Sequence, residues 1–155
     1  MKKNKVLIPI DGLDFSLKVL PMVERFLKPA ENHLILLHVE KEPEAVHIHQ
    51  PGMEDLDIFV DQAEEGVRIN FADQLHPLVR SLQEAGFEVT TKVYFGKPTQ
   101  AIDAFLAEQP VDMVAMTTHV RTGLDRIVHG SVAEHLLHHT SVPMLLYHPT
   151  PEAQA

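Results

Sequence analysis

The chain alternates between short, nearly continuous apolar runs and longer stretches with helical spacing. The apolar runs are Val6–Ile10, Leu34–Val39, Met113–Met116 and Met144–Tyr147. Runs of this kind suit strands of a parallel sheet covered on both faces. A fifth run, Phe87–Tyr94, sets Glu88, Thr90 and Lys92 opposite Val89, Thr91 and Val93. That alternation predicts a strand nearer an edge. Between the runs, Asp14–Leu27 carries Leu17, Leu20, Val23 and Leu27 at helical spacing, and Pro21 inside it predicts a kink or a late start. Asp55–Glu84 repeats the pattern with Phe59, Ala63, Val67, Leu75, Leu78 and Leu82, interrupted by Pro77. Pro98–Glu108 begins with a proline suited to a first helical turn. Ser131–His139 is the last predicted helix. Glu40–Gly52 reads as one long irregular segment and Pro149–Ala155 as a frayed tail.

Strands alternating with helices imply an α/β fold. Five strands in this order predict a parallel, open, doubly wound sheet of flavodoxin-like or related type, with right-handed crossovers. Residues 1–148 form the expected single domain and 149–155 the tail.

Composition narrows the classes. The 155 residues include no cysteine, which excludes a disulfide framework and thiol catalysis and suits a reducing compartment. The net charge of −9 argues against a nucleic-acid partner, which would call for a basic face. Met1–Lys5 is basic, but the apolar run behind it ends at Asp11, short for a secretory signal. No stretch approaches the roughly 18–20 apolar residues of a membrane span. A cytoplasmic protein with no membrane partner is expected.

Open α/β sheets bind ligands beyond the carboxyl ends of their strands, where the strand order switches. The segments at those ends are Asp11-Gly12, Val39-Glu40, Gly96-Lys97-Pro98 and Thr117 through Ser131. The last is the most informative. Ser131 and Glu134 have capping-box spacing, and a helix N-terminus offers free N–H groups and partial positive charge to an anion. Arg121 and Arg126 stand in the same loop, and His119 and His129 flank it. The residues alone admit a capped helix with solvated arginines as readily as an anion site. Asp11 reads either as a ligand acceptor or as a helix cap, with Asp14 and Ser16 competing for the cap. His135, His138 and His139 contain i,i+3 and i,i+4 pairs, and His47 and His49 share a face if extended. Without an evident third ligand, these read as solvated or partly packed histidines rather than metal ligands.

The stretch from Thr117 to Glu134, TTHVRTGLDRIVHGSVAE, resembles the signature of the universal stress proteins. So do Val6–Gly12, the Leu37-His38-Val39 strand end, Gly96-Lys97-Pro98 and the closing Ser141–Tyr147, in order over nearly the whole chain. The resemblance implies a Rossmann-like sheet of the adenine nucleotide alpha hydrolase type with strand order 3-2-1-4-5. It also implies a homodimer pairing through Met144–Tyr147 and an ATP or other adenine-nucleotide site, with Mg²⁺ or Mn²⁺ only alongside the phosphates. Asp11 and Val39 correspond to the adenine and ribose end, which Met116 lines. Gly130, Ser131 and Val132 correspond to the phosphate end. Pro9, Ile10, Thr117, Thr118, Val120 and Arg121 complete the implied set.

The family's ATP-binding branch carries Gly-x-x-Gly, nine residues, then Gly-Ser or Gly-Thr. Here Thr117 and Val120 stand at the first two glycines, while Gly130-Ser131 keeps the third element and the spacing. A β-branched valine suits poorly a backbone with φ > 0. The threonine hydroxyls offer donors in partial compensation. No Gly-x-x-x-x-Gly-Lys-Ser/Thr loop is present. The expected function is therefore a regulatory binding module without dedicated turnover. A weak ATP hydrolase using the same pocket and a ligand-free dimerisation module are the alternatives.

Overall fold

The computed structural model describes residues 2–11, 13–43, 46–48, 56–58, 60–119, 121–123, 126–128 and 131–150. Five strands form the central sheet: β1 (Asn4–Ile10), β2 (Asn32–Glu40), β5 (Glu88–Phe95), β6 (Met113–Thr117) and β9 (Met144–Tyr147). Two short pairs lie outside it, β3 (Val46–Ile48) with β4 (Leu56–Ile58) and β7 (Arg121–Gly123) with β8 (Arg126–Val128), both antiparallel. The helices are α1 (Leu20–Phe26), α2 (Val60–Glu84), α3 (Pro98–Glu108) and α4 (Ser131–His139).

The sheet runs β5-β2-β1-β6-β9 and every pairing in it is parallel. Counting only these five strands, the order is 3-2-1-4-5, as the family resemblance implied. Alternate residues of each strand enter opposite cores. Val6, Ile8 and Ile10 join Leu34 and Leu36 under Phe71, Leu75 and Leu82 of α2 and Val23 of α1. Leu7, Ile35 and Leu37 join Val114 and Met116 under Ile102 and Phe105 of α3 and Ala133 and Leu136 of α4. Burial on both faces is why the strands read as continuous apolar runs.

Several boundaries depart from the sequence expectation. Pro21 does delay its helix. Ser16–Val19 is a 3-10 turn, and α1 follows with Pro21 in its first turn, where the missing N–H costs nothing. The helix expected from Asp55 begins at Val60. Leu56-Asp57-Ile58 pairs instead with Val46–Ile48, so Glu40–Gly52 is not wholly irregular. The apolar-polar-apolar order of Leu56–Ile58 is the period-two signal of a strand, which the longer helical pattern masked. Pro77 is carried inside α2. Of the other expectations in this region, His49, Met53 and Phe59 lie outside the described residues.

The strand order places β1 between β2 and β6. The chain leaves β1 toward β2 and β5, and later returns to fill β6 and β9 on the other side. The carboxyl ends of β1 and β6 therefore flank the switch point.

Candidate functional site

A cavity of about 260 Å³ opens at that switch point, on the α3–α4 side of the sheet. Its floor is Leu37 and Met116 from β2 and β6. Pro9, Ile10 and Asp11 close one side, Val39 another. Pro98 and Ile102 enter from the start of α3, and Ser131, Val132 and Ala133 from the start of α4. Thr117, Thr118 and His119 line the side that follows β6. Apolar walls with a few convergent polar groups are the usual form of a small-molecule site.

The polar groups differ in what they are free to do. The Ser16 hydroxyl accepts from the Asp11 N–H at 2.8 Å and donates to the Asp11 carbonyl at 2.9 Å. That closes the loop after β1 and leaves the Asp11 side chain exposed. No side chain caps the 3-10 turn that follows, where Phe15 holds the cap position, so the cap reading of Asp11, Asp14 and Ser16 falls away. The Thr117 hydroxyl donates to the Ser16 carbonyl at 3.1 Å. Thr118 is held from both sides. Its N–H donates to the Tyr147 carbonyl at 2.9 Å, and its carbonyl meets His148 Nδ1 at 3.2 Å. Its own hydroxyl is buried without a partner among the described residues.

His119 is exposed at the mouth and lies flat on Phe15, with ring centroids 3.5 Å apart and planes 5° from parallel. The Lys18 ammonium stands 5.7 Å from the Phe15 centroid. Ser131 is the first residue of α4 rather than the residue before it, one position past where a capping-box serine would stand. Among the described residues it exchanges no hydrogen bond with Glu134. It instead lines the cavity at the helix start, where backbone N–H groups lack intrahelical partners.

The cavity thus gathers Pro9, Ile10, Asp11, Val39, Met116, Thr117, Thr118, Ser131 and Val132 from the implied set. Arg121 is the first residue of β7, inside the segment read as an unbroken loop. Val120 and Gly130, the two other motif positions, lie outside the described residues, as does His129. Sequence reasoning did not mark Phe15 as a wall. It weighed Ser16 only as a cap, although a serine five residues beyond a strand-end aspartate can close that loop.

The histidines of α4 make contacts away from the cavity. His135 Nε2 meets Asp103 Oδ2 at 2.7 Å, joining α4 to α3, and its ring stacks on His139. Among the described residues no group of three His, Cys, Asp or Glu side chains is placed to hold a metal ion. None of their helices is long and apolar enough to cross a membrane.

Residues 3–148 match the model of the universal stress protein family. The chain belongs to that family. It is 28% identical to universal stress protein MJ0531 of Methanocaldococcus jannaschii over 92% of this chain and 81% of that one. The solved structure of MJ0577, from the same organism, superposes with a TM-score of 0.69 at 26% identity, covering 95% of this chain and 96% of that one. An Arabidopsis thaliana family member solved with AMP bound shares the fold, with a TM-score of 0.60 at 16% identity over 96% and 94% of the two chains. A universal stress protein in complex with cAMP does so at 0.57 and 17%, over 94% and 97%.

Proposed function

We propose that this universal stress protein is a homodimeric, cytoplasmic regulatory module of the stress response that holds an adenine nucleotide in the cavity above β1 and β6. The observation that carries the reading is the cavity at the switch point, whose lining includes Thr118, with a hydroxyl that is buried and has no partner among the described residues. A buried hydroxyl without a partner costs about 1–3 kcal/mol, and a ligand atom that bonds it recovers that cost. Relatives of the same fold that hold AMP or cAMP supply the ligand class.

In this reading Pro9, Ile10, Asp11, Val39 and Met116 surround the base and ribose. Thr117, Thr118, Val120, Arg121, Gly130, Ser131 and Val132 surround the phosphates, where the α4 N-terminus favours negative charge. Mg²⁺ or Mn²⁺ enters only with the phosphates. The ligand acts by shifting the protein's surface or its dimerisation, without dedicated turnover. Isothermal titration calorimetry with ATP, AMP and cAMP tests this. Saturable heat with at least one of them is expected. No heat from any at millimolar concentration removes the nucleotide reading.

A further inference from the structure

We infer that Thr117, which stands where the ATP-binding branch has its first glycine, is a positioning residue that braces the Asp11 wall of the cavity through Ser16. The inference deepens the nucleotide reading of this site and depends on it only for its affinity readout.

The geometry is a short relay between two strand ends. Thr117 closes β6, and its buried hydroxyl donates to the carbonyl of Ser16, 101 positions earlier in the chain. Ser16 in turn takes both main-chain groups of Asp11 on its own hydroxyl. Asp11 is the first residue after β1, and among the described residues its backbone has no strand partner to fix it there. The position of the Asp11 wall is therefore set by Ser16, and the position of Ser16 by Thr117.

Glycine has no donor to offer at this point. In this chain a glycine at 117 would clear space beside the cavity and at the same time remove the side-chain bond that ties the Ser16 carbonyl, at the start of its 3-10 turn, to the end of β6. The threonine is thus a substitute with a different task. It gives up close backbone approach by a ligand and fixes in advance the loop that a ligand must meet. Of the two adjacent threonines, Thr117 commits its hydroxyl to the Ser16 carbonyl, while that of Thr118 is buried with no partner among the described residues.

The test compares Thr117→Ser, Thr117→Val and Thr117→Gly in the full chain. Exchange of the Asp11 amide hydrogen is followed by NMR, with the Leu36 amide of β2 as the control for global opening. AMP affinity is measured by calorimetry. Thr117→Val and Thr117→Gly should speed Asp11 exchange relative to Leu36 about tenfold and weaken AMP by a similar factor, as loss of one buried hydrogen bond implies. Thr117→Ser should restore both, because it keeps the donor. Unchanged Asp11 exchange in Thr117→Val, or tighter AMP binding by Thr117→Gly, would overturn the brace. If the unaltered protein binds no AMP, the nucleotide reading fails, and the exchange data still decide the role of Thr117.

Discussion

At the scale of single residues, the site depends on which polar groups are already engaged. Thr118 predicts an unusual pair of effects. Replacing it with valine removes a hydroxyl that has no partner among the described residues, so Thr118→Val should leave stability unchanged or raise it by about 1 kcal/mol. The same change should weaken adenine-nucleotide binding about tenfold. Urea denaturation and calorimetry on one preparation check both, and a clear loss of stability would show that the hydroxyl is structural. Glu40 carries a different prediction. The Lys41 backbone N–H, followed by a hydrogen bond from His38, holds its carboxyl below the usual range. His38 also reaches the Ile10 carbonyl at 3.1 Å and stacks on Phe71 of α2. A depressed carboxyl stabilises the fold above its unfolded value and loses that contribution as pH falls through the folded one. Glu40→Gln should therefore flatten part of the stability loss below pH about 4.3, seen in urea midpoints across the acid range. Glu40 is 44% exposed, so solvent screening keeps the effect small.

Among the elements, the long helix α2 shows how its ends are made. Beyond Glu84, the Phe87 N–H reaches back to the Leu82 carbonyl and the Gly86 N–H to that of Gln83, a Schellman closure. Gly86 has a φ of 95°, and a Cβ placed there would meet Pro29 Cβ at 3.3 Å. Gly86→Ala should lower stability by about 1–2 kcal/mol, measured by thermal or urea unfolding, since the left-handed conformation strains any residue with a Cβ. The same elements show what sequence can carry. A first-turn proline located α3 and the Ser131-x-x-Glu134 spacing located α4, and the delay at Pro21 followed from the missing N–H. Strands buried on both faces were legible because polar residues hardly interrupt them, His38 near the end of β2 being one that does. The short pairs were not, because three residues such as Leu56–Ile58 cannot outweigh the helical pattern that begins beside them. At the site, residues at strand ends were readable from topology and family motif together. Phe15 was not, because its part in the wall rests on a ring contact with a residue more than a hundred positions away.

For the whole molecule, the open edge at β9 is the feature to test. The Val114 N–H bonds the Pro143 carbonyl and the Thr118 N–H bonds that of Tyr147. Because strand groups alternate, the main-chain groups of Leu146 face away from β6, toward the open edge. An apolar edge strand with unpaired groups is a template for another strand. If two copies meet there, Leu146→Pro removes a donor at the seam and should yield a folded monomer. Sedimentation velocity reads the assembly and circular dichroism the fold; a dimer that persists would move the interface elsewhere. The bond between Thr118 and Tyr147 then has a consequence for regulation. The strand that would receive a second subunit is also the strand that holds the cavity wall. Occupancy and assembly would share one free energy, and linkage would work in both directions. Whatever factor a nucleotide applies to the dimer's affinity, dimerisation applies to the nucleotide's, so the concentration of the protein itself would set how sensitively it reads its ligand.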